Sequence, residues 1–144
     1  MLPNGITGFR DLKDPYIPEQ EKRIFQRFCY SIDTHYHCEV LSFDLDLASK
    51  NFYSAEIKTE RGRFYLLENA YYPWIAFAKN LDVTEIEFVE SPFNLTDPSV
   101  NVLTLPELEQ SWHDIVGELN KAELEQIKYW KPNIIGDIIF NFWD

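Results

Sequence analysis

Residues 40–69 read VLSFDLDLASKNFYSAEIKTERGRFYLLEN, and the architecture follows from their period of two. Leu41, Phe43, Leu45 and Leu47 alternate with Ser42, Asp44 and Asp46, the pattern of a strand with one wet face. SKN then turns the chain, and FYSAEIKT follows with Tyr53, Ala55 and Ile57 on one face. ERGR makes the next turn before a third strand, FYLLEN. Downstream, PWIAFA is short and apolar, as in a more buried strand. TEIEFVE alternates again, with Ile86 and Phe88 inward and Glu85 and Glu87 outward. Connections this short favour antiparallel hairpins over crossovers.

Helical spacing frames this block. Before it, Ile24, Phe25, Phe28, Cys29 and Ile32 predict an amphipathic helix over 19–31, with the acidic EQE at its positive end. After it, Thr104, Pro106 and Glu107 form a helix-start signal, and Leu105, Leu108, Trp112, Ile115 and Leu119 recur at three and four. Asn120 with Glu123 repeats the start signal for a short helix that carries Leu124 and Ile127 and closes at Pro132. Ile135, Ile138, Ile139, Phe142 and Trp143 predict a terminal helix. The expected fold is α+β: an N-terminal helix, an antiparallel sheet of four or five strands and about three C-terminal helices, in one domain over 1–144.

The chain has 144 residues, 45% hydrophobic and 16% aromatic, ample for one core. Two cysteines give no disulfide framework and fit a reducing compartment. The start has no charged region followed by an apolar run, and no stretch approaches the ~18 apolar residues of a membrane span. A cytoplasmic protein is expected.

The net charge is −11, from 24 carboxylates against 13 Lys plus Arg. This argues against nucleic-acid or anionic-membrane partners, which need clustered cations. Residues 82–125 hold eleven of the carboxylates, with Lys121 the single Lys or Arg. Such a segment either solvates the surface or steers a basic protein partner. Glu85 and Glu87 are the first candidates for partner contact, because they share the outward side of a strand. Asp44 and Asp46, on another strand, are the second.

The stretch HYHCE (residues 35–39) raises metal chemistry. On a strand, His35 and His37 would project together, with Glu39 as the natural third ligand. The competing reading is a polar turn entering a strand, and with no CxxC or HExxH pattern the expectation is no metal and no cofactor. Ser42 and Ser54 lack a nucleophile elbow, and the five glycines are scattered rather than gathered in a phosphate loop. A catalytic residue is not expected. YYPW (71–74) and FNFWD (140–144) could line an aromatic pocket, though packing is their commoner role.

The stretch YWKPNIIGDIIFNFWD (residues 129–144), through Lys131–Pro132, Ile135 to Asp137 and the FNFWD end, resembles the C-terminal signature of bacterial immunity-type proteins found beside polymorphic toxins. NGITGF (4–9) and NAYYPWIAFA (69–78) add to the likeness. The resemblance implies a non-enzymatic cytoplasmic protein that neutralises a toxin by binding it. It transfers no functional residue. Together with the acidity, it leads to the expectation of an immunity protein covering a basic toxin domain, nucleases being one such class. The alternatives are a small ligand-binding domain or enzyme using the aromatic pocket and the His35/His37/Glu39 cluster, and a general interaction module.

Overall fold

The computed structural model describes residues 2–114 and 117–144. Helix α1 (Lys22–Tyr36) leads into a five-stranded antiparallel meander: β1 (Glu39–Asp44), β2 (Phe52–Thr59), β3 (Gly62–Asn69), β4 (Trp74–Leu81) and β5 (Ile86–Val89). A sixth strand, β6 (Asn101–Val102), pairs parallel to β4 at Trp74 and Ile75, beside the end of β4 that β5 leaves free. Then come α2 (Leu105–Leu108), a 3-10 turn at Trp112–Asp114, α3 (Lys121–Trp130) and α4 (Gly136–Ile139). The fold is α+β. Among the described residues no helix is long and apolar enough to cross a membrane.

The centre of the sheet is buried on both faces. Alternate residues of β2 and β3 serve two cores, as a period of two requires. Tyr53, Ala55, Ile57 and Leu66 meet Phe25, Cys29 and Ile32 of α1. On the reverse face Phe52, Leu67, Ala76 and Phe88 meet Leu2, Ile6, Leu108, Ile127, Ile138 and Phe140. The β2–β3 hairpin is tight: Thr59 faces Gly62, whose φ of +114° suits a residue without Cβ.

Several sequence expectations shift. Helix α1 begins three residues later than expected, because Gln20 is pinned in extended chain. Its amide donates to Ala70 O (2.7 Å), and its side-chain amide donates to Asn69 O and Tyr72 O (2.7 and 2.8 Å). The helix then runs on to Tyr36 and absorbs His35, while His37 ends it in the left-handed conformation. In β1 the register slips between Val40 and Ser42. This bulge turns Leu41 outward and leaves Val40 and Phe43 against α1, correcting the simple alternation.

After β6, the single periodic helix expected through Leu105, Leu108 and Trp112 is broken into α2 and the 3-10 turn, and Ile115 lies outside the described residues. Both helix-start signals form full capping boxes, at Thr104/Glu107 and Asn120/Glu123. In α3, Ile127 is buried but Leu124 is 42% exposed. The terminal helix is one turn. Ile135, Ile138 and Ile139 are buried as expected, but the chain turns extended at Phe140, leaving Phe142 half-buried outside the helix. The cause is Asn141, whose amide donates to Asn51 Oδ1 (2.8 Å) and whose carbonyl accepts from Asn51 N (3.2 Å).

Gly136 shows how closely α4 sits on the sheet. A Cβ there would lie 2.6 Å from Phe88 Cε2 and 3.2 Å from Leu108 O. Gly136→Ala is therefore expected to cost about 1–3 kcal/mol by overpacking. Chemical denaturation measures it; a change within about 0.5 kcal/mol would mean Phe88 yields freely.

Candidate partner-binding groove

Three distant stretches share one buried polar knot. The side-chain amides of Asn51 and Asn69 each donate to both Ile6 O and Ile139 O, at 2.8–2.9 Å. Asn141 Nδ2 donates to Ile138 O (3.0 Å) and Asn69 Oδ1 accepts the Tyr71 amide (2.9 Å). Beside them Glu123, fully buried, accepts from the amides of Gly5 and Thr7, from the Thr7 hydroxyl and from the Asn120 amide. NGITGF, NAYYPWIAFA and the chain end are thus held together by side-chain bonds to backbone, the work of a scaffold.

This knot positions the C-terminal residues against the β4–β5 turn. Between them lies a groove of about 710 Å³. Its carboxylates are Asp82, Glu85, Asp137 and Asp144. Its one Lys is Lys131, and Trp130 and Trp143 are among its aromatic walls. None of the four carboxylates forms an ion pair among the described residues. Burial pushes the carboxyl of Asp137 up, the backbone of Ile134 and Asn133 partly offsets this, and the charge of Glu85 adds to the rise. Asp82 is held below the usual carboxylate range by the amide and hydroxyl of Thr84. A second depression of about 380 Å³ shares Asp82, Val83 and Phe142 with the groove and adds Asp44 and Lys50.

The sequence candidates divide around this feature. Glu85 lines the groove, its backbone closing the turn with Asp82. Glu87 does not; it accepts from Asn80 Nδ2 (2.6 Å). Asp44 borders the second depression and is paired with Lys50 at 3.0 Å. Burial opposes its charge, but bonds from Lys50 and the Asp46 amide hold its carboxyl low. Asp46 is exposed and accepts the Ala48 amide. Asp137 and Trp130 were not singled out from sequence as contact residues, whereas Trp143 lies in the FNFWD stretch that could line a pocket.

The acidic segment is not one surface. Glu123 is spent inside the knot, Glu107 closes a capping box and Glu90 accepts the Leu105 amide (2.6 Å). The shared strand face proposed for His35 and His37 does not exist. His35 sits in the last turn of α1, its Nδ1 at 2.7 Å from Ser31 O, and His37 caps that helix. Among the described residues no group of three or more His, Cys, Asp or Glu is placed to hold a metal ion. The aromatic stretches line different hollows: Tyr71 a small one of about 100 Å³ with Arg10 and Tyr16, Phe142 and Trp143 the groove. The chain matches no family model, no curated protein and no solved structure.

Proposed function

We propose that this chain is a non-enzymatic cytoplasmic immunity protein that neutralises a basic toxin domain by binding it at the groove. The observation that carries the reading is the groove lining: four carboxylates without ion pairs among the described residues, beside exposed aromatic surface. Such a surface accelerates encounter with a basic protein and covers the cations that a nuclease would need for phosphate. The non-catalytic part of the reading draws on the knot, which spends Asn51, Asn69, Glu123 and Asn141 on backbone groups. Burial also pushes the thiols of Cys29 and Cys38 up, away from the nucleophilic thiolate.

The test uses the product of the reading frame next to this gene as the partner. Glu85→Lys should slow association about 5-fold at low salt and flatten its salt dependence. Glu87→Lys should do less at physiological salt, where screening acts over about 8 Å. Stopped-flow kinetics decide between them. Equal effects of the two reversals would remove the groove from the interface, and no binding by the wild-type chain would remove the reading itself.

A further inference from the structure

The groove carries more than charge. The indole rings of Trp130 and Trp143 are parallel to within 1°, their centroids 6.4 Å apart. Trp130 is 42% exposed and its neighbour Tyr129 74% exposed, the two rings meeting edge-on at 5.1 Å. Exposed Trp and Tyr beside a cavity are the residues that dominate binding energy at protein interfaces. Their placement beside carboxylates without ion pairs discriminates between cations. A lysine ammonium is a compact, strongly hydrated point charge. A guanidinium is flat and weakly hydrated, stacks on indole faces and grips carboxylates through paired donors.

Deepening the function proposed above, and resting on it for the identity of the partner, we infer that the groove seats an arginine side chain on an extended segment of that partner. The guanidinium lies against the indole of Trp130 or Trp143, and its charge is met by Glu85 and Asp137. The volume exceeds what one side chain fills, so neighbouring residues of the segment enter as well. Phosphate-bearing ligands are repelled by the same lining.

The experiment titrates the full chain with blocked peptides of alternating glycine and arginine, lysine or citrulline, read by tryptophan fluorescence and calorimetry. The arginine peptide should bind about 5-fold more tightly than the lysine peptide, with the citrulline peptide weakest. Trp130→Leu, at a half-exposed position, should weaken arginine binding more than lysine binding and so reduce the arginine preference. Glu85→Gln with Asp137→Asn should weaken both. Trp143→Leu, checked for an unchanged melting curve, serves as the second aromatic variant. Equal arginine and lysine affinities, or a preference that both tryptophan variants leave undiminished, would overturn the inference. The outcome separates from that of the functional reading. Tight capture of the toxin domain without an arginine preference sinks only the inference. An arginine preference without toxin capture supports the seat and sinks the immunity role.

Discussion

Glu123→Ala is expected to remove about 4 kcal/mol or more of folding stability, close to the whole margin of a small protein. The carboxylate is fully buried and accepts four donors: Gly5 N at 2.8 Å, Thr7 N at 2.9 Å, Thr7 Oγ1 at 2.6 Å and Asn120 N at 3.2 Å. Truncation leaves these groups without partners in a space too closed for full hydration. Each stranded donor costs about 1–3 kcal/mol. Glu107 offers the internal comparison, because it occupies the same position in the other capping box but lies at the surface. Glu107→Ala should cost only about 1 kcal/mol, the usual worth of an exposed cap. Thermal unfolding of the pair distinguishes them. Glu123→Ala should melt about 10 °C or more below wild type, and Glu107→Ala within a few degrees of it. Similar melting temperatures for the two variants would show that the Glu123 network is dispensable. The N-terminal loop would then be held by the apolar contacts of Leu2 and Ile6 and by the bonds of Asn51 and Asn69 to Ile6 O.

The same glutamate shows where sequence reasoning stopped. Asn120 and Glu123 were legible as a helix start because a capping box is local, set by a spacing of three. That Glu123 also reaches residues more than a hundred positions away is not local, and nothing in its neighbours announces it. The hairpins were legible for a similar reason: alternation and short turns are properties of adjacent residues. The bulge at Leu41 was not, since one inserted residue flips the faces while the apolar string looks unchanged. Strand β6 has two residues and therefore no period to read. The tail kept helical spacing past Phe140, but Asn141 is captured by Asn51, a competition that spacing cannot reveal. The candidate groove was legible only in pieces: an acidic excess, Glu85 and the aromatic FNFWD end. Its lining comes from the β4–β5 turn and the C-terminal stretch, and only the fold brings Glu85 near Asp137. Folding also takes Glu123 off the acidic surface and ties the exposed Glu107 into a capping box, so a count of carboxylates overstated the free acidic surface.

Glu68→Gln should do the opposite of Glu123→Ala and stabilise the protein above neutral pH, by about 3 kcal/mol. Glu68 lies on the α1 face of β3, in register with Tyr53 on one side and Ile75 on the other, and is 5% exposed. Burial pushes its carboxyl up to about 7, with no offsetting hydrogen bond or cation among the described residues. Burial and then the Glu68 charge raise the Cys29 thiol of α1, and burial, followed by Glu19, Tyr71 and Glu68, lifts the Tyr53 phenol to about 12. At acid pH the side chain is a neutral acid in both folded and unfolded chains and costs nothing extra. As pH rises past the ordinary glutamate value of 4.5, the unfolded chain releases its proton while the folded one retains it. Stability therefore declines until the folded group ionises near pH 7, and the loss is complete above that. A glutamine has no proton to release, so the variant lacks this part of the pH dependence. Asp137, also raised, adds a decline common to both proteins, and their difference isolates Glu68. Urea unfolding at a series of pH values gives that difference directly. It should be small at acid pH, grow through the intervening range and level off in mild alkali. Parallel curves would mean that the Glu68 carboxylate finds solvent or a cation when charged. The face of the sheet beneath α1 would then be wetter than its packing implies.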